Sequence, residues 1–428
     1  MSRYLSIALL SLLLLGGCAT KQPETTGSAG SYKSFDKEDA YIVEALYYKE
    51  HGDYAKAYTL FHTLYEKTAN PVYRVEAVKL LIASKRYEEA RKELEAMIAK
   101  DPKNLLLHRL AAVAQLKLGR MDDALKTAQK LVALEPDNAQ NIDLLASIYL
   151  AKGDNDEAFE AYKSYYDRHH DAATVVKMAS ILYHKIKAPD EAVRLLETHS
   201  KMVGCDENVC LFLAELYRQK GELEHLADVY ARLYTATKTP EYAQKAAEIY
   251  AFKKEYAKAV DLLKSSHADD RLLLAIYKHT KAFRKAAKLA LNLYEENNDP
   301  VWLAEYSILL YEGATKKSDP ALLKKVIQNL SKALKEGVND PLYLNYLGYL
   351  LIDHDLDVKW GVELVKKALK AEPDSAYYID SLAWGYYKLG QCKAAYVEMK
   401  RVVDKLGAKD PEIKKHWNAI QHCRSTKK

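Results

Sequence analysis

The stretch "KGDNDEAFEAY", Lys152 to Tyr162, contains the pattern that decides the fold of this chain. A glycine is followed after four residues by a small residue, and after three more by an apolar or aromatic one. The same pattern recurs in "HGDYAKAYTLF" (His51 to Phe61), "LGRMDDALKTA" (Leu118 to Ala128) and "LGQCKAAYVEM" (Leu389 to Met399). Recurrence at this scale is typical of a repeat protein.

The small-residue position recurs at nearly constant steps along the chain. The steps are 33, 34, 34, 34, 34 and 33 residues, then a shorter one of 27, and a step of 34 resumes near the end. The positions are Ala57, Ala90, Ala124, Ala158, Ala192, Leu226, Ala259, Ala286, Gly361 and Ala395. We expect two helices to cross closely at each of them, with looser packing at the larger Leu226.

Each unit has the pattern of a helix, a turn and a second helix. Apolar residues before the small position follow helical spacing, as Leu145, Ala146 and Tyr149 do. Glycine often follows them, which is typical of a helix end. Proline often stands near the start of the next unit, where it is tolerated in the first turn of a helix.

This pattern resembles the tetratricopeptide repeat (TPR) family over about Asp39 to Leu406, most closely in "SLAWGYYKLG" (Ser381 to Gly390). The resemblance implies an all-α, right-handed superhelical solenoid of about eleven TPR-like helix pairs, covering residues 38–408. The ninth pair, Trp302 to Gly337, matches least well. Residues 409–428 are predicted to form a capping helix and tail, with Trp417 and Ile420 on its apolar side.

The N-terminus contains a different signal. Arg3 precedes an uncharged apolar run that is too short to span a bilayer, which is typical of a signal peptide over residues 1–17. Leu15-Gly16-Gly17-Cys18 resembles the bacterial lipobox, which implies acylation of Cys18, including palmitate, and cleavage before it. An ordinary signal peptide or an anchor helix with a chance cysteine is the alternative.

The residue after Cys18 bears on the membrane. Ala19 stands where the inner-membrane retention pattern has aspartate, so the resemblance points to the outer membrane. Residues 18–37 then form a lipidated N-terminus and a polar, flexible tether. We expect a periplasm-facing lipid anchor.

The composition excludes some function classes. Lys and Arg number 64 and Asp and Glu 59, a weak excess of +5 in 428 residues. We therefore expect no nucleic-acid partner. Gly (16) and Pro (11) are sparse, which favours helix throughout.

Four cysteines remain after Cys18, and four cysteines allow three pairings. In the repeat arrangement Cys392 begins the second helix of the last pair and Cys423 lies near the end of the capping helix. Cys205 and Cys210 flank the turn "DENV". We predict the disulfides Cys205–Cys210 and Cys392–Cys423; buried free cysteines or a metal site are the alternatives.

No phosphate-binding loop, dinucleotide, zinc-protease or serine-hydrolase motif occurs. The repeats and the cap occupy nearly all of residues 39–424, so no segment is left for a catalytic domain such as murein-degrading enzymes carry. We predict a protein that is not an enzyme and that needs no cofactor or metal.

The TPR resemblance implies that the first helix of each pair lines a concave groove. In the last two pairs it places six residues there, either for partner binding or to fill contacts between repeats: Asn345, Tyr349, Tyr377, Asp380, Trp384 and Tyr387. Aromatic residues of this kind are frequent at binding hot spots. We expect them to bind another envelope protein or peptide.

The expected function is a membrane-anchored periplasmic scaffold in an envelope assembly such as pilus secretin, outer-membrane or polysaccharide-export machinery. The alternatives are regulation of peptidoglycan synthesis and direct glycan binding in polysaccharide export.

Overall fold

A computed structural model describes residues 35–426 of the chain. Within these residues it has 23 α-helices and no strand, which confirms the all-α prediction. None of the helices in this range is long and apolar enough to cross a membrane. The predicted signal peptide and Cys18 lie outside the described residues, as does most of the predicted tether.

The chain divides into two compact units, and the first extends to Arg168. Consecutive helices pack against each other in pairs of a first and a second helix. The helices of this unit are α1 (Glu38–Glu50), α2 (Tyr54–Thr68), α3 (Pro71–Ala83), α4 (Tyr87–Lys100), α5 (Leu105–Lys117), α6 (Met121–Leu134), α7 (Ala139–Lys152) and α8 (Asn155–His169).

The second unit begins at His169. Its helices are α9 (Ala172–Ile181, extended by a π-helical turn at Leu182–Ile186), α10 (Pro189–Met202), α11 (Glu207–Lys220), α12 (Leu223–Thr237), α13 (Pro240–Phe252), α14 (Tyr256–Ser266), α15 (Asp270–His279), α16 (Phe283–Asn297), α17 (Pro300–Glu312), α18 (Pro320–Lys335), α19 (Pro341–Asp353), α20 (Val358–Ala371), α21 (Ala376–Lys388), α22 (Cys392–Leu406) and α23 (Pro411–Thr426).

The described residues thus form eleven helix pairs and a final helix, in agreement with the predicted count. The weakly matching ninth pair is α17 and α18, joined by the longest turn within a pair. α23 is the predicted capping helix, and Ile413 and Ile420 on its inner side are buried against α21 and α22.

The small-residue positions are where the two helices of a pair meet. Each is the fourth residue of the second helix, and every alanine among them is fully buried. Leu226, predicted to loosen its pair, is also buried. A side chain of one carbon lets two helix backbones approach closely, which is the physical reason for a small residue at this position of each unit.

Capping aspartates, glycines and prolines determine where the helices begin and end. Aspartate side chains before several first helices accept backbone N–H groups of the first turn, as Asp171 does from Thr174 at 2.9 Å. Gly153 ends α7 with φ of 88°, a left-handed conformation that glycine adopts without steric cost. Pro71 and Pro240 begin helices, as the proline pattern predicts.

One turn predicted from the sequence is wrong. "DENV", Asp206 to Val209, is the start of α11 and not a turn between helices. Asp206 is the N-cap residue, and its carboxylate accepts the N–H groups of Asn208 and Val209 at 2.9 and 3.4 Å. Cys210 therefore lies within the first turn and a half of the helix.

In the tenth pair, glycine faces glycine across the contact between α19 and α20. A Cβ atom on Gly348 would lie 2.8 Å from the carbonyl oxygen of Gly361. A Cβ atom on Gly361 would lie 2.6 Å from the carbonyl oxygen of Gly348. Backbone atoms block both positions, so neither site can accept a larger residue without moving α19 from α20.

We predict that Gly361→Ala destabilises the tenth pair by about 1–3 kcal/mol, although alanine favours helix more than glycine. Hydrogen exchange of α19 and α20 measures the change. Lys367→Ala, at an exposed position of the same helix, is the control and should leave exchange unchanged. Equal protection in Gly361→Ala and the unsubstituted chain would contradict the packing argument.

Candidate functional site

Trp384 is the centre of an aromatic cluster between α21 and α23. The ring of Tyr387 stacks on one side with a centroid distance of 4.7 Å, and the ring of His416 stacks at 4.1 Å. The indole Nε1–H donates a hydrogen bond to Oδ1 of Asp353 at 3.0 Å. Only 5% of Trp384 is exposed, so its stacking surface is already used inside the protein.

Two cations also lie against this indole. The Nζ atoms of Lys388 and Lys415 are 5.4 and 5.5 Å from its ring centroid. Lys388 additionally forms a 2.6 Å ion pair with Asp355. Cations at these distances are attracted by the negative face of an indole ring. The Trp384 side chain is therefore surrounded by contacts from its own helix, α21, and from α23.

His416 of α23 anchors the cluster from the other side. Its side chain is fully buried, and Nδ1 lies 3.0 Å from Oδ2 of Asp380, which is itself buried. Its Nε2 has no hydrogen-bond partner within residues 35–426. A buried imidazole needs a hydrogen-bond partner to offset the cost of its burial. Asp380 is that partner for Nδ1, so it fixes the position of α23.

Tyr349 extends the contact to α19. Its hydroxyl donates to Oε1 of Glu412 at the start of α23. Burial and this hydrogen bond raise the pKa of Tyr349 far above its usual range, so the phenol remains a donor at physiological pH. α23 therefore contacts residues of two consecutive first helices.

The six residues predicted to bind a partner have different surroundings. Asp380 and Trp384 are buried against α23, and Tyr349 and Tyr387 are half-buried in the same cluster. Asn345 is half-buried, and its Oδ1 has no hydrogen-bond partner in the described part of the chain. Tyr377 is 69% exposed and is the one of the six that a partner reaches freely.

His416 is not among the site residues predicted from the sequence. The signal was present, because His416 stands three residues after Ile413 and four before Ile420. This spacing places all three on one face of a helix. A histidine on the apolar face of a capping helix requires a buried acceptor, and Asp380 provides it.

The four cysteines after Cys18 come together in two pairs. Cys205 and Cys210 are at disulfide distance with 5.7 Å between their Cα atoms, and Cys392 and Cys423 with 5.6 Å. These are the pairs expected from the repeat arrangement. The second closes a loop of 31 residues and ties the end of α23 to the start of α22.

The side chains around Trp384 contact other residues of the same chain. The described residues contain no group of three or more His, Cys, Asp and Glu side chains that could hold a metal ion. His416 and Asp380 resemble an acid–base pair, but a substrate cannot reach a fully buried imidazole.

Family comparison identifies the repeats directly. Tetratricopeptide-repeat profiles match residues 48–112, 81–148 and 209–241. The chain contains tetratricopeptide repeats. Repeats of this type bind partner proteins or peptides. The comparison with curated proteins found no match to this chain.

Several solved structures are similar to it in part. The APC/C hetero-tetramer Cut9–Hcn1 is 10% identical, with 90% of this chain and 97% of that chain covered and a TM-score of 0.40. Naa15/Naa10 bound to HypK is 14% identical, with 90% and 66% covered and a TM-score of 0.31. A TPR protein of Thermus thermophilus is 16% identical, with 42% and 98% covered and a TM-score of 0.33.

We predict that His416→Ala loosens α23 by about 2–3 kcal/mol, because it removes the stack on Trp384 and leaves the carboxylate of Asp380 buried without its partner. Hydrogen exchange of α23 and the fluorescence of Trp384 and Trp417 measure the change. Lys414→Ala, exposed on the same helix, is the matched control. The same exchange rates in both variants would show that His416 does not hold the helix.

Proposed function

We propose that this protein is a lipid-anchored, periplasm-facing TPR scaffold that binds and positions a partner protein in an envelope assembly. The partner occupies exposed faces of the first helices, and the lipid on Cys18 keeps the repeats at the outer membrane. Assemblies of this kind include pilus secretin, outer-membrane and polysaccharide-export machinery.

The pairing of the cysteines carries the envelope part of the proposal. The chain has five cysteines, and all four that follow Cys18 lie in pairs at disulfide distance. Disulfides persist in oxidising compartments such as the periplasm and are rare in the cytosol. This agrees with export directed by the apolar N-terminus and the lipobox-like Leu15-Gly16-Gly17-Cys18.

Contacts between side chains of the described helices support the scaffold part of the proposal. Buried histidine, aspartate and tryptophan at the C-terminal end make contacts within the chain, which favours a structural role for them. A glycan platform on Trp384 is less favoured, because Tyr387 and His416 cover the ring that a sugar would stack on.

We predict that Cys18→Ser moves the protein from the membrane fraction to the soluble fraction, because each buried CH₂ of an acyl chain contributes about 0.8 kcal/mol to membrane binding. Fractionation of cells followed by immunoblotting measures this. Thr20→Ser, just outside the lipobox-like stretch, is the control and should stay with the membrane. Retention of Cys18→Ser in the membrane would refute the lipid anchor.

We also predict that protein extracted without reductant has no thiol that an alkylating reagent can reach after denaturation, and four after reduction if Cys18 is acylated. Loss of the Cys392–Cys423 link should cost about 3–4 kcal/mol and loss of Cys205–Cys210 about 2 kcal/mol on the chain-entropy relation. Intact-mass spectrometry counts the alkylated cysteines. Four labelled cysteines without reductant would refute both pairs.

Capture of partners from cross-linked envelopes identifies the assembly. We expect an envelope protein cross-linked to exposed first-helix residues. Cross-links exclusively to cytoplasmic proteins would contradict the proposed location.

A further inference from the structure

The last two helices, α22 and α23, are joined to each other at both ends. Residues 407–410 connect the end of α22 to the start of α23. At the other end, Cys392 is the first residue of α22 and lies at disulfide distance from Cys423 in the last turn of α23. The two helices and their links therefore form a closed covalent ring. When the disulfide opens, residues 407–410 are the only covalent link that remains between them.

The connection between the two helices has the properties of a hinge. Residues 407–410 are not helical. Gly407 has a φ of 73°, which glycine adopts without steric cost. A Cβ atom on Gly407 would meet no atom within 4 Å, so neighbouring side chains do not hold this residue in place. α23 is therefore able to turn about this connection once its other end is free.

α23 covers two side chains of α21 through contacts that are not covalent. His416 stacks on Trp384 at 4.1 Å and lies 3.0 Å from the carboxylate of Asp380. Trp384 is 5% exposed and Asp380 is 7% exposed. Because α23 supplies the imidazole that covers them, movement of α23 away from α21 exposes the indole and the carboxylate together.

The two sulfur atoms of the ring differ in their access to solvent. Cys423 is partly exposed, whereas only 5% of Cys392 is exposed. The exposed side chain of Arg424 follows Cys423 directly. A neighbouring arginine favours a thiolate, and the rate of thiol–disulfide exchange depends on which sulfur is accessible. An attacking thiolate therefore reaches Cys423 first.

The position of Cys392 makes it the better leaving group. It is the first residue of α22, where backbone N–H groups and the helix dipole stabilise negative charge. A cysteine at a helix N-terminus is stabilised as its thiolate, and a stabilised thiolate leaves faster from a disulfide. The accessible sulfur and the stabilised leaving group thus favour the same direction of attack.

We propose that the Cys392–Cys423 disulfide is a redox-controlled clamp, which the active-site dithiol of a thiol–disulfide oxidoreductase opens at Cys423, and that opening releases α23 from Trp384. One thiolate of the dithiol bonds to Sγ of Cys423 as the Cys392–Cys423 bond breaks, and Cys392 leaves as a thiolate and takes up a proton. The second thiol then displaces Cys423, which is also protonated. Two electrons and two protons pass to the chain, and the dithiol becomes a disulfide.

The Cys205–Cys210 pair is a matched control within the same chain. It also combines a partly exposed cysteine, Cys205, with a buried one, Cys210. Its two cysteines are 5 residues apart, between the end of α10 and the beginning of α11. Both helices pack against neighbours on either side, so opening this disulfide releases no helix.

The first test measures hydrogen exchange of α23 in the full mature chain. In the double variant Cys392→Ser, Cys423→Ser we expect α23 to exchange about a hundredfold faster, because the ring is open. Reduction of the unsubstituted chain with dithiothreitol should have the same effect. The double variant Cys205→Ser, Cys210→Ser should leave the exchange of α23 unchanged, and circular dichroism checks that both variants fold. Equal exchange of α23 in the oxidised and reduced unsubstituted chain would overturn the clamp.

The second test determines which sulfur is attacked. The oxidised chain is treated briefly with glutathione, a monothiol that leaves the mixed disulfide in place, and the released thiols are then alkylated. We expect peptide mass spectrometry to find glutathione on Cys423 and the alkyl group on Cys392. The reverse assignment would overturn the proposed direction of attack.

This inference rests on the proposed location in an oxidising envelope compartment, where the disulfide forms. The two proposals fail separately. If Cys18→Ser stays in the membrane while α23 responds to reduction, the lipid anchor fails and the clamp stands. If an envelope partner is captured while α23 exchanges equally with and without the disulfide, the clamp fails and the scaffold stands.

Discussion

The close approach of two helices at one small residue in each pair is the constraint on which the rest of the structure depends. In the first unit that residue is Ala57, Ala90, Ala124 or Ala158, and all four are fully buried. A methyl group fills the contact without separating the backbones. The apolar side chains above and below it can then interdigitate at the density of a protein interior. In the tenth pair the crossing has no side chain at all, since Gly348 and Gly361 face each other there.

Contacts between repeats depend on tyrosine rather than phenylalanine. Tyr73 donates to Glu38 and Tyr242 donates to Glu207, each across 35 residues, from the third residue of one first helix to the first residue of the preceding one. Burial raises the pKa of Tyr73 to about 12, and the hydrogen bond to Glu207 raises that of Tyr242 to about 12. These hydroxyls thus remain donors at physiological pH. Tyrosine suits these positions because its ring fills the contact and its hydroxyl reaches a carboxylate. The chain accordingly has 33 tyrosines and 6 phenylalanines.

The sequence predicts the helix pairs because their periodicity is local and is repeated many times. Helical spacing places Tyr349 and Trp384 at equivalent positions of their helices, but it does not show how much of each side chain is exposed. That depends on α23, which lies some thirty residues downstream of Trp384 and is positioned by Asp380. The sequence does not distinguish the start of α11 from a turn, because aspartate, the residue type of Asp206, is common both in turns and at helix N-caps. The π-helical turn at Leu182–Ile186 has no sequence signal beyond the absence of glycine in that turn.

Buried and exposed residues of the last repeats therefore contribute differently to the packing of the helices. The positions that hold the helices together are buried, so any change in them alters the separation of the helices. Val301, Leu342 and Tyr377 contribute little to that packing, because they lie at helix starts with much of their surface in solvent. Their identities can change without changing their spacing, which the helix crossings determine. A change at these three positions consequently leaves the helical framework intact, because buried residues make the crossings.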